Sequence, residues 1–335
     1  PHPSPLTPHP SPLTLHQHLE QWLTTQFGAV VGHAIAPAMT EYYRLNAIRR
    51  PEFMGWTQVE LDKKQYPGGK SVPTKTEFTL IEAYQRMNDF ARMEATVDVY
   101  ADLVRENVRD AYFAHVLYPV HAAASMTRKM LGQPVESRRA YEEIQALTER
   151  YNTMNGCKWQ GLMSATPRSL PVFGEAHTEL PQHPSAGRLI ARNASDFTRY
   201  EGVAPPHTVQ MLGHSMQAVA LPKGTALTYE FDSPQEGDAT LYTAMIPTQP
   251  SDRGDLRYTV QIDHEEPMVI SLKEPYRSES WKQNVLRCQA LKQVPVKVVK
   301  GRHTLTIKAI DHHIIADQWM LDFCNARQFY VIPVK

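Results

Sequence analysis

Gly-Arg-His-Thr-Leu-Thr-Ile-Lys-Ala-Ile-Asp, residues 301–311, is the stretch that decides the fold. Leu305 and Ile307 alternate with Thr304, Thr306 and Lys308. That period of two puts apolar side chains on one face of a strand and polar ones on the other. The same alternation runs upstream through Leu227, Tyr229 and Phe231, set between Thr228 and Glu230. It recurs in Tyr258, Val260 and Ile262, set between Thr259 and Gln261. Strands with one wet face belong to antiparallel sheets. Several of them in the second half of the chain predict a jelly-roll-like β-sandwich over residues 192–335.

Toward the N-terminus the period becomes helical. Leu19, Trp22, Leu23 and Phe27 form one apolar stripe that ends at Gly28. A second helix is predicted to begin near Pro37, because proline suits a first helical turn, and to run through Met39, Tyr42, Tyr43 and Leu45 to Arg50-Pro51. Pro-Gly-Gly and Val-Pro mark residues 65–73 as a loop. Thr79-Leu-Ile-Glu82 reads as a capping box opening a long helical stretch to Leu131-Gly132, with an interruption at Pro119. A further helix spans 136–153, with Tyr141, Ile144, Leu147 and Tyr151 near one face, and Asn155-Gly156 stops it. The fold class is therefore α+β and multidomain. Residues 1–14, a tandem repeat of Pro-His-Pro-Ser-Pro-Leu-Thr, form an unstructured Pro-rich tail; 15–165 form a helical bundle; 166–191, with Pro167, Pro171, Pro181 and Pro184, form a linker; 192–335 form the sandwich.

Composition narrows the function by exclusion. A chain of 335 residues has room for two domains. Lys plus Arg equals Asp plus Glu at 35 each, which gives no electrostatic footprint for nucleic acid. No apolar run approaches the ~20 residues of a membrane span. Cys157, Cys288 and Cys324 contain no Cys-x-x-Cys pair, so neither a zinc site nor a redox motif is indicated. The 15 histidines are scattered, and the adjacent His312 and His313 would point to opposite faces of a strand. Neither metal nor cofactor is predicted. No nucleophile elbow, phosphate loop or metalloprotease motif occurs. Glycosidase carboxylates are recognised by their separation across a sugar, which a linear sequence does not display.

Aromatic residues carry more. Sugar faces stack on Trp and Tyr, and Trp56, Trp159 and Trp281 lie in or beside loops, which makes them the substrate-binding candidates. The plainer reading of each is a core plug under a loop. Trp22 and Trp319 fall on regular stripes and are assigned to packing. Tyr42, Tyr43, Leu45, Phe53, Met54 and Trp56 cluster where the chain leaves a helix, and predict an exposed apolar patch.

The residues around these features resemble a known family. Leu-Lys-Glu-Pro-Tyr-Arg-Ser-Glu-Ser-Trp-Lys-Gln-Asn-Val-Leu-Arg (272–287), Asp-Gln-Trp-Met-Leu-Asp-Phe (317–323) and Arg-Gln-Phe-Tyr-Val-Ile-Pro (327–333) look like the C-terminal module of glycoside hydrolase family 115. Tyr-Tyr-Arg-Leu-Asn-Ala-Ile-Arg-Arg-Pro-Glu-Phe-Met-Gly-Trp (42–56) is similar to the segment that follows that family's catalytic barrel. Ala-Ser-Asp-Phe-Thr (194–198), Leu-Gly-His-Ser (212–215) and Ile-Pro-Thr-Gln-Pro (246–250) resemble the opening strands of its terminal sandwich. The resemblance implies the non-barrel portion of an inverting α-glucuronidase that acts, without a metal, on glucuronic-acid-decorated plant polysaccharide such as xylan. The family's acid and base lie in its barrel and have no matching positions here, so no catalytic residue is assigned and no hydrolysis is expected of this chain alone. The implied partners are polysaccharide, a catalytic barrel and a second copy of the chain; the implied compartment is the periplasm or the cell exterior. The alternative is a stand-alone carbohydrate-binding protein, which an exposed aromatic row on one sandwich face would favour.

Overall fold

The computed structural model describes residues 14–55, 74–75, 77–169, 173–175, 178–179, 187–250, 254–276, 278–324 and 327–334. The repeat at 1–13, the loop at 65–73 and Trp56 lie outside them. Helix α1 (Leu15–Phe27) opens on a capping box in which the Thr14 side chain takes the Gln17 N–H and Gln17 returns to Thr14. Gly28, at φ 92°, turns the chain at once into α2 (Ala29–Ile48). The second helix therefore begins well before Pro37, which lies inside it. Proline there removes one helical hydrogen bond, and burial of Ile35, Ala36, Ala38 and Met39 on both sides overrides that loss. Gly32 lets the two helices close: a Cβ at that position would stand 2.4 Å from the backbone of Thr24.

Helix α3 (Leu80–Ala101) starts at the Thr79–Glu82 capping box, as its sequence predicts. It stops well before Pro119, in a turn where the Leu103 and Val104 amides bond back to Tyr100 and Ala101 and Val104 is buried. Helix α4 (Arg109–Tyr112) then runs through a π turn, Phe113–Leu117, into α5 (Tyr118–Leu131). Pro119 sits in the first turn of α5, where the widened π turn absorbs its missing donor, so the expected interruption is a change of pitch. Helix α6 (Pro134–Cys157) loses helical geometry at Met154, and Asn155 and Gly156 are left-handed, where the sequence places the stop. Neighbours pack as α1–α2, α2–α3, α3–α5 and α5–α6 around a core that includes Leu23, Ile35, Phe90, Val97, Val120 and Leu131.

The three alternating segments become β7 (Ala226–Ser233), β9 (Arg257–Ile262) and β12 (Gly301–Ala309). With β4 (Arg199–Glu201) and β10 (Met268–Ser271) they make a five-stranded antiparallel sheet ordered β10-β9-β12-β7-β4. In that sheet Leu305 pairs with Tyr229 on one side and Ile262 on the other. The facing sheet runs β11 (Ala290–Val298), β8 (Gly237–Met245), β13 (Ile314–Asp322), β6 (Gln217–Leu221) and β5 (His207–Gln210), and β3 (Leu189–Asn193) also joins β13. Trp319 of β13 is wholly buried between the sheets against Tyr229 and Phe231. Helix α7 (Glu279–Arg287) precedes β11 and packs on it. Ahead of the sandwich, β1 (Thr74–Lys75) and β2 (Thr178–Glu179) form a two-residue parallel pair.

Some packing differs from expectation. Trp22, assigned to a core stripe, stays 37% exposed and meets Phe27 and His115 edge-on at the rim of the bundle, while its neighbour Leu23 is fully buried. The apolar cluster at 42–54 is largely covered: Leu45 and Met54 are buried, Tyr42 and Phe53 half-buried, and Tyr43 alone of these five is exposed. All three cysteines are free thiols, and His312 and His313 lie in the turn between β12 and β13. Among the described residues, no helix is long and apolar enough to cross a membrane.

Candidate functional site

Trp281 lies in the first turn of α7, where Ser278 caps the helix and its Oγ accepts the Trp281 amide at 3.1 Å. Tyr276 meets the Trp281 ring edge-on with centroids 5.2 Å apart, and the tyrosine is 74% exposed. Beside the pair, Glu274 accepts a hydrogen bond from Ser280 Oγ at 2.6 Å and pairs with Lys292 Nζ at 2.5 Å. Burial would raise the Glu274 carboxyl, but Lys292 and Ser280 outweigh it and hold the group below the usual carboxylate range. Glu279 and Lys282 form a further pair at 2.9 Å. An aromatic face beside fixed hydroxyls and an ionised carboxylate is the chemistry a pyranose ring uses. Tyr276 is missing from the sequence-predicted set; its signal is the Pro275-Tyr276 step just ahead of Trp281.

Trp159 is 38% exposed in the turn after α6, with the Lys158 ammonium 4.8 Å from its ring centre. It follows the last helix of the bundle, whereas Trp281 belongs to the sandwich. Trp56 lies outside the described residues.

A second constellation sits where α3, α5 and α6 meet. Arg128 donates to both oxygens of Glu94, at 2.5 and 2.9 Å, and to Glu143 at 2.9 Å. Ser125 Oγ adds a bond to Glu143 at 2.7 Å. His121 faces Asp98 at 2.9 Å through Nε2, and Glu94 at 3.2 Å and Glu143 at 3.8 Å through Nδ1. Burial pulls the His121 pKa down, but Glu143, Glu94 and Asp98 together outweigh it and raise it to about 10. Glu143 moves the other way, to about 2, chiefly because the His121 imidazolium lies 3.8 Å away, with Ser125 and Arg128 adding to it. Glu94, His121 and Glu143 offer three ligand atoms within 4.8 Å of one another. A protonated imidazole has no lone pair to give, and Arg128 already occupies an oxygen of each carboxylate. The group is a three-helix ionic clamp, and carboxylates held ionised do not serve as general acids.

The two domains are joined by residues 327–334. Tyr330, fully buried, stacks on Phe78 at 4.1 Å and lies 6.1 Å from the His214 ring. The amides of Tyr330 and Val331 both donate to the Glu82 carboxylate at 2.9 Å. The Arg287 guanidinium covers the Tyr330 ring at 4.7 Å and donates to its carbonyl. Below this layer Arg86 donates to the carbonyls of Leu45 and Arg49, each at 2.8 Å, and burial lowers its pKa to about 10. Burial, helped by the Arg287 cation, also draws His214 down to about 4, so its imidazole is neutral and its Nε2–H donates to the Arg287 carbonyl at 2.8 Å. Ile332 continues the tail across the outer face of the second sheet, against Ala191, Tyr242, Ala244 and Met320.

Residues 190–335 match the family model described as the glycosyl hydrolase family 115 C-terminal domain. Across both domains the chain is similar to a solved family GH115 4-O-methyl-α-glucuronidase with specificity for decorated arabinogalactans. The TM-score is 0.80 and the identity 33%, over 92% of this chain and 41% of that protein. The chain thus spans less than half the length of that relative. Weaker likenesses join it to the C-terminal CBM6 of the laminarinase LamC from Zobellia galactanivorans, at 12% identity and TM-score 0.31 over 40% of this chain and 99% of that one. A family 35 carbohydrate-binding module from Clostridium thermocellum gives 11% and 0.30 over 40% and 98%. No curated protein matches the sequence. With the helical domain and the sandwich matched together and in the same order, the chain is similar to the helical and C-terminal β-sandwich part of that α-glucuronidase, and its residues 190–335 match the C-terminal domain of glycoside hydrolase family 115.

Proposed function

We propose that this chain is the supporting half of an α-glucuronidase that removes glucuronic or 4-O-methyl-glucuronic acid from decorated plant polysaccharide, either xylan or an arabinogalactan. In this reading a catalytic domain supplies the acid that protonates the glycosidic oxygen and the base that activates water. The helical domain and the sandwich hold that domain and border its cleft, and the enzyme works in the periplasm or outside the cell, where such polymers are met. The observation that carries the reading is the match of both domains at once to an enzyme of this activity. The Tyr330 seam supports it, because it fixes the two domains as one body that a third could dock against.

The stand-alone binding alternative asks for a row of exposed aromatics on the sandwich. Tyr200 lies on edge strand β4 of one sheet, whereas Tyr276 precedes α7, which packs on β11 of the other. These positions form no row.

The test is release of glucuronic acid from glucuronoxylan and from decorated arabinogalactan. The 335-residue chain by itself should release none, and the same chain joined to a family 115 catalytic barrel should release it. Truncating the joined protein before Leu189 should abolish turnover. Turnover by the chain alone that disappears when one of its own carboxylates is mutated would overturn the proposal.

A further inference from the structure

His214 lies in the turn after β5, buried at the seam between the two domains. Its backbone is fixed from the sandwich side. Asp317 of β13, wholly buried, accepts the His214 amide at 2.8 Å, the Ser215 amide at 3.1 Å, the Ser215 hydroxyl at 2.6 Å and the Gln289 side chain at 2.8 Å. Gly213 permits that approach, since a Cβ there would stand 2.3 Å from the carboxylate. The ring is less well served. Its Nε2–H is spent on the Arg287 carbonyl, and its Nδ1 is buried without a hydrogen-bond partner among the described residues. A bare basic nitrogen in a buried place is a standing acceptor for a proton.

The charges around the ring are already matched. Arg287 and Asp317 face His214 from the sandwich. Beyond Tyr330, whose ring lies 6.1 Å away and nearly parallel, stand Arg49 at the end of α2, Arg86 and Glu82 of α3, and Glu77 ahead of it. Three guanidinium groups thus oppose three carboxylates while the imidazole is neutral. A proton on Nδ1 adds a fourth positive charge beside Arg287, and each carboxylate is already committed. Asp317 holds its four donors, Glu82 takes Thr79 and the two tail amides, and Glu77 pairs with Arg49 at 3.7 Å. The proton would also point at the Ile48 carbonyl, the acceptor that the Tyr330 hydroxyl uses at 3.4 Å. An unmatched charge in such a place is costly.

We propose that His214 is an acid-operated latch on the domain seam: neutral, it lets Tyr330 close the two domains into one body; protonated, it drives residues 327–334 off the helical domain. The helical side yields because the tail is held there by the Glu82 bonds and the Phe78 stack, whereas the His214 turn is pinned by Asp317 and Ile332 is bedded on the sandwich. Opening therefore leaves the tail on the sandwich and parts it from the bundle. The sign follows from burial, which with Arg287 pulls the ring below its usual 6.5, a value the open seam restores. Closure is favoured in full above about pH 6.5 and loses that favour as pH falls toward the depressed value. The latch is a property of this chain and stands apart from the α-glucuronidase reading, which turnover tests.

The experiment is hydrogen exchange of the 335-residue chain, read on the peptide covering 327–334 and corrected for the intrinsic pH dependence. Protection there should fall roughly tenfold or more between pH 7.5 and pH 5, while peptides from α5 and β7 keep theirs. His214→Gln retains a donor for the Arg287 carbonyl but takes no proton, so its tail protection should stay within about twofold over the same range. Calorimetry of the unmutated chain gives a second reading that needs no variant. One transition at pH 7.5 should become two at pH 5, with the helix and strand signals in circular dichroism unchanged before melting. Tail protection that does not change with pH, a single transition kept at pH 5, or a His214→Gln chain that opens over the same range as its parent would each overturn the proposal.

Discussion

His121 shows how one residue ties three helices to pH. Its folded pKa of about 10 lies above the ordinary 6.5, so its contribution to stability is complete below about pH 6.5 and is lost as pH rises through 10. Glu143, depressed from 4.5 to about 2, contributes fully above about pH 4.5 and is lost as pH falls toward 2. The clamp is whole between those limits. Replacing His121 with Gln should therefore lower the melting temperature most near pH 6, with the difference from the parent shrinking steadily toward pH 10. Thermal melts of the two proteins across that range would check it; a pH-independent difference would remove His121 from the ionic role. None of this was legible in the sequence. Glu94 and Asp98 share one face of α3, and His121, Ser125 and Arg128 one face of α5, but i, i+3 and i, i+4 polar spacings occur on most solvated helix faces. Only the packing of three helices turns these into a cluster.

At the level of elements, the capping box that opens α3 has a second task. Thr79 does what any cap does, and its side chain accepts the Glu82 amide. Glu82 returns to the Thr79 amide at 2.9 Å and also receives two amides from Tyr330 and Val331. Thr79→Ala should cost about 1 kcal/mol, the usual value of a lost cap. Glu82→Ala should cost clearly more, because it also strands the part-buried Tyr330 and Val331 amides, at up to ~1–3 kcal/mol each. Urea denaturation of the two variants decides the matter, and equal losses would mean that the tail contact carries nothing. The helix start was readable because a capping box is local. The span of α3 was not, since Pro119 looked like the breaker while the chain breaks after Ala101, where burial of Val104 sets the turn. Strands β7, β9 and β12 were readable for a like reason: an alternation over five residues already states which face is buried.

For the whole molecule the seam is the controlling feature. Tyr330 contributes its ring to the core of the helical domain although it follows the last strand of the sandwich. Tyr330→Ala should cost about 3–5 kcal/mol, the range for a buried aromatic truncated to alanine. It should also split a single calorimetric transition into two, one for the bundle and one for the sandwich. A variant that still melts in one step would mean the domains are held elsewhere. The sequence displayed both domains through their periods but not their junction, because the Glu82–Tyr330 contact joins residues 248 apart and no periodicity reports it. The candidate site was legible only to the extent of Trp281; its partner Tyr276 and the Glu274–Lys292 pair emerge once β10, α7 and β11 converge.

The clasp made by residues 327–334 also orders events during synthesis. A ribosome releases the helical segment first, and that segment can collapse while the sandwich is still being translated. Until Tyr330 emerges, Phe78 lacks its stacking partner, Glu82 lacks two of its donors and Arg86 lies under an unroofed floor. The nascent bundle therefore waits with an open, sticky notch through the translation of every β-strand of the sandwich. A chaperone that binds nascent chains should occupy that notch, and the emergence of Tyr330 should be what displaces it.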